Sequence, residues 1–130
     1  MAVGLHPTNY ANKVLDHMHR AVASTAPASN NIKLHTGDPG AAATTAPSAN
    51  TTRAVATFSA ASAGAVALSN TPTWSSWASG AETISHISIW DNITAGVVLA
   101  TAALTASKAV ANGDTLTITS LSISLAPLMA

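Results

Sequence analysis

The chain has 130 residues, enough for one domain with its own core and short for two. Some 48% of it is apolar, with alanine the largest share, only 8% is charged, and basic and acidic residues balance to a formal net charge of zero. That excludes the basic patches of nucleic-acid binders and the basic face of a membrane-surface helix, and the lack of cysteine excludes disulfides and thiol chemistry.

Residues 1–10 carry neither the basic start nor the apolar centre of a secretory signal, so a protein made and used in the cytoplasm is expected. Pro7 and Thr8 then form a helix start, with Thr8 the expected cap. Tyr10, Val14, Met18 and Val22 follow at steps of four, with Leu15 beside them, which predicts an amphipathic helix over residues 8–23. Pro27 and its small polar neighbours end it. Residues 1–30 thus read as a helical arm and linker, and residues 31–130 as the main domain.

The main domain reads as strands. Residues 31–36 place Ile32 and Leu34 on one face, and Lys33 and His35 on the other. Thr36 to Gly40 is a dense turn signal, and residues 41–52 form a weakly patterned loop. Residues 52–59 carry Val55 and Phe58, and residues 65–68 alternate through Val66 and Leu68. Residues 70–80 read as a loop or short edge strand around Trp74 and Trp77. Residues 83–90 give the strongest strand, with Ile87 and Ile89 on one side and Ile84 and Trp90 on the other. Residues 97–104 are another strand, with a further short candidate at 107–110. Asn112-Gly113-Asp114 is a hairpin-type turn, and residues 115–118 and 121–125 are the last strands, separated by a slip in alternation. About seven or eight short strands without intervening helices predict an all-β fold, an antiparallel β-sandwich or jelly roll with an N-terminal α-helical arm. No window approaches the roughly 18 apolar residues of a membrane-spanning helix.

Four stretches carry a resemblance. Leu34-His35-Thr36-Gly37-Asp38-Pro39-Gly40, Thr52-Arg53 leading into Phe58, Ile84 to Trp90-Asp91, and Ala103-Leu104-Thr105-Ala106-Ser107-Lys108 followed by Gly113-Asp114-Thr115 resemble a small virion protein family of tailed bacteriophages. Its members are variously labelled capsid decoration, tail-fibre-like or minor tail proteins. The similarity covers most of the chain after Asn31, departing in the loop 41–50, where relatives are often glycine-rich. It implies a virion structural protein without enzymatic activity or cofactor.

Other chemistry is thinly represented. His17 and His19 are two apart, so on a helix they point in different directions and make a poor metal pair. His35 and His86 lie on strands and could meet across a sheet, yet structural histidines are the simpler reading. Asp38, Asp91 and Asp114 each sit beside a turn and lack the alternating oxygen ligands of a calcium loop. Trp74 and Trp77 are candidates for glycan or partner contact, weighed against ordinary packing. The helix stripe of Tyr10, Val14, Leu15, Met18 and Val22 is the candidate docking surface. The expected role is a decoration protein on the outside of the phage capsid. Its partners would be the major capsid protein and copies of itself, as a trimer by the habit of capsid ornaments. The alternative is a tail-tip or fibre-associated protein whose partners are tail proteins and whose loops bind a host receptor or glycan. Neither nucleic acid nor membrane is an expected partner.

Overall fold

Alternation along the central strands decides which side chains meet. The computed structural model describes residues 3–125; the outermost ends of the expected arm and of the expected 31–130 domain lie outside the described residues. The strands are β1 (Gly4–Leu5), β2 (Asn30–His35), β3 (Ala54–Ala56), β4 (Ala65–Ala67), β5 (Thr73–Trp74), β6 (Glu82–Trp90), β7 (Val98–Val110), β8 (Leu116–Thr117) and β9 (Ser122–Ser124). Five of them form one antiparallel sheet in the order β1-β7-β6-β2-β3, while β4 pairs with β9 and β5 with β8 as two-stranded ribbons.

Ile32 and Leu34 of β2 pair with Ile89 and Ile87 of β6, so four β-branched or branched side chains project to one face. The ribbons bring Trp74, Leu116 and Ile118 against that face, with Phe58, Leu68 and Leu121 at its rim. The core is therefore a sheet packed on two ribbons, which is the expected all-β sandwich with a helical arm. Each fully buried isoleucine or leucine contributes roughly 1.5–3 kcal/mol. No helix among the described residues is long and apolar enough to cross a membrane.

Several local expectations need correction. The helix opens at Pro7 with a wide, π-type turn (Pro7–Ala11) and continues as α1 (Asn12–Arg20). His6, rather than Thr8, caps it: its Nδ1 accepts from the Asn9 N–H at 3.2 Å. The helix ends at Arg20 because Ala21 adopts φ +54°, so Val22 lies beyond it. Val55 points outward from the edge strand β3 and is 47% exposed, while the small Ala54 and Ala56 face the core.

The two candidate strands at 97–104 and 107–110 are one strand, β7. Its register against β6 jumps, with Ser85 standing opposite residues 104–107. Across that irregularity Ile84 joins Ile87 in the same core instead of facing away from it. The turn at Gly113 (φ +94°) does not close a hairpin, because β8 pairs with β5. Its backbone instead grips the tryptophan loop, through Gly113 N–H to Trp77 O and Trp77 N–H to Asp114 O.

Candidate functional site

The face of the large sheet turned away from the core is built by the other half of the alternation. There the register sets Asn31 opposite Trp90, Lys33 opposite Ser88 and His35 opposite His86. His35 is fully buried beneath the loop that follows β2, whose Pro47 bridges back to it. Its Nδ1 lies 3.0 Å from the Thr45 carbonyl, which can only accept, so Nδ1 carries the proton. Nε2 therefore accepts from the Ser88 hydroxyl at 2.8 Å, and Ser88 Oγ accepts from the Trp90 indole N–H at 2.8 Å. Burial pushes the His35 pKa below its ordinary value, with Lys33 and His86 adding to the effect and the Thr45 carbonyl opposing it. The two strand histidines do meet in register, but both ring nitrogens of His35 are committed to protein partners.

Trp90 is the floor of a cationic cluster. The Arg53 guanidinium stacks 4.2 Å from the centre of its ring and the Lys33 ammonium stands 5.8 Å away. Arg53 Nη1 donates to the carbonyls of Asn92 (2.7 Å) and Ala95 (2.8 Å), tying the edge of the sheet to the loop 91–97. That loop is pinned in turn by Asp91, whose Oδ1 accepts from the Val97 N–H at 2.8 Å. From below, the Trp74 indole donates to the Thr52 carbonyl at 2.8 Å and fixes the residue before Arg53. A cleft of about 500 Å³ opens above, lined by Lys33, Thr51, Thr52, Arg53, Ile93 and Thr94. Composition conceals this cluster; the visible signal is pairing arithmetic, since β2 and β3 in their register bring position 53 beside position 33.

The residues singled out from sequence divide into two groups. Tyr10 and Val14 are half-buried and line a groove with Lys13, Pro27 and Leu99, while Leu15 (56% exposed), Met18 (69%) and Val22 face outward. The helix α1 packs mainly on its own opening turn, and residues 21–28 return along an exposed path to β2. The arm is thus anchored at both ends, by β1 on the edge of β7 and by β2, and projects between them. Trp74 and Trp77, by contrast, are 4% and 2% exposed, and their indole N–H groups donate to Thr52 O and Gly80 O. Their ring faces pack in the core and offer no platform to a sugar. Asp38, Asp91 and Asp114 each accept from a nearby backbone N–H, as turn residues do.

Comparison with known families adds one finding. The family model described as podophage GP4 fiber I protein gp80 matches residues 7–126, arm and sandwich together. No curated protein matches the chain.

Proposed function

The chain belongs to the podophage GP4 fiber I protein gp80 family and is a phage virion structural protein, and we propose that it serves as a non-enzymatic module of the tail fibre apparatus. The observation that carries this reading is the extent of the match: it runs from Pro7 through the helix and both layers of the sandwich, leaving β1 outside it. The capsid-surface location is the competing reading, and nothing in the family's description favours it.

In this role the sandwich is the body and the projecting arm is the attachment. Leu15, Met18 and Val22 present apolar surface that the other described residues leave largely uncovered. Seating them against a tail protein or a second copy would remove that surface from water, at roughly 25 cal/mol per Å². Assembly into a symmetric fibre repeats the contact and multiplies its weight.

Counting copies separates the two locations. Quantitative mass spectrometry of purified virions is expected to give a small multiple of the tail symmetry, and labelling should mark the tail. A count commensurate with the shell lattice, with label over the capsid, would instead establish decoration.

A further inference from the structure

The cationic cluster over Trp90 holds two like charges where the fold gains nothing from their closeness. Lys33 and Arg53 are two of only five lysines and arginines in the chain, yet Lys33 on β2 and Arg53, the residue before β3, both stand over the Trp90 ring. Like charges side by side across a sheet are destabilising. Both are also partly withdrawn from water: burial lowers the Lys33 pKa, with Arg53 adding to the effect, and burial lowers that of Arg53 against the pull of Asp91. The Lys33 ammonium has no hydrogen-bonded or ion-paired partner among the described residues and stands over the Trp90 ring. The carboxylate that reaches Arg53, Asp91, accepts from the Val97 N–H and fixes the loop.

The guanidinium is fixed in place with donors to spare. One face lies on the indole, Nη1 is tied to two carbonyls, and the remaining N–H groups are left for an acceptor. A planar guanidinium fixed in this way suits a carboxylate or phosphate, and a second cation beside it adds charge without demanding geometry. The rest of the lining is not that of a simple ion site. Three threonines supply hydroxyls, Ile93 supplies an exposed apolar wall, and the volume falls within the ~300–1,000 Å³ usual for small-ligand sites. Hydroxyls beside an apolar wall match the alternating hydroxyl and C–H surfaces of a sugar ring. A polymer with a charge at every unit would need a track of cations, and the other three basic residues, Lys13, Arg20 and Lys108, do not line this cleft.

We propose that the cleft between Lys33, Arg53 and the loop 91–97 binds an anionic sugar, its carboxylate or phosphate seated between the two cations and its ring along Ile93 and the threonines. The ligand class deepens the fibre reading and rests on it, because a fibre module meets the glycans of the host surface.

Titration of the full chain, nitrogen-labelled and followed by NMR, tests the site with glucuronic acid, a hexose phosphate and glucose. The Trp90 indole signal and the amides of Thr52 and Thr94 are expected to move with an anionic sugar, while the Trp74 and Trp77 indoles stay and glucose has no effect. The two anionic arms tell carboxylate from phosphate. Arg53→Gln and Lys33→Met should each weaken binding about tenfold, the scale of one charged hydrogen bond. Lys33→Met breaks no hydrogen bond of the fold, so its effect is readable even if Arg53→Gln fails to fold. Silence in both anionic arms, equal shifts with glucose, or undiminished affinity in Lys33→Met would overturn the proposal. Copy counting in virions is independent of this titration: a bound anionic sugar with shell-like copy numbers sinks the fibre reading alone, and a silent titration with fibre-like numbers sinks the site alone.

Discussion

At the scale of single residues, the buried side of the sheet edge is governed by one titratable group. His35 is held neutral, its folded pKa below the ordinary 6.5. Below that value the unfolded chain takes up a proton that the folded chain resists, so the unfolded state gains as the pH falls. The stabilisation is therefore complete above pH 6.5 and is lost on acidification toward the folded pKa. The urea midpoint should hold level above pH 6.5 and fall on acidification below it; a flat or rising midpoint below pH 6.5 would contradict the assignment. Ser88→Ala removes both the donor to Nε2 and the acceptor of the Trp90 indole, and should cost about 1–3 kcal/mol in the same assay. Gly96 is constrained differently. It sits at φ +87°, and a methyl group there would fall on Asp91 Oδ1 and crowd Asn92. Gly96→Ala should cost about 1–3 kcal/mol and displace the carbonyls that hold Arg53, so that stability and anionic-sugar binding drop together. Retained binding in a destabilised Gly96→Ala protein would separate the loop from the site.

At the scale of elements, periodicity was the readable quantity and interruptions of it were not. The stripe from Tyr10 to Met18 located the helix, but its end depends on Ala21 turning left-handed, which alanine does not announce. Alternation placed Ile32, Leu34, Ile87 and Ile89 correctly, because β2 and β6 pair without a break over that stretch. Ile84 breaks the alternation at the point where the register jumps, four residues of β7 facing Ser85 alone, and no turn residue marks the jump. The cation cluster was hidden for a related reason: Lys33 and Arg53 are twenty positions apart and meet only through the pairing of β2 with β3. The arm allows a direct test of its role as an element. Leu15 and Met18 are exposed and belong to no core, so Leu15→Asp with Met18→Asp should change the unfolding free energy by no more than about the 0.5 kcal/mol per site of surface changes. The same double variant should lose most of its incorporation into virions. Normal incorporation would remove the arm from the attachment.

At the scale of the whole molecule, the sparse charge separates two kinds of contact that one chain would make. With 8% charged residues and no net charge, the surface has little to steer or repel a neighbour over distance. The arm's outward face is apolar, and burial of apolar area is not screened by salt. The cleft works the other way: its proposed ligand is held by two cations at a partly open edge, where salt competes, with a Debye length near 10 Å at 0.1 M and about 3 Å at 1 M. Raising salt through that range should therefore leave incorporation of the protein into virions unchanged or slightly favoured, while anionic-sugar affinity falls several-fold. The two measurements on one preparation distinguish attachment from recognition without any substitution. If attachment weakened with salt as steeply as sugar binding, the charged residues rather than the Leu15–Met18 face would be holding the module in place.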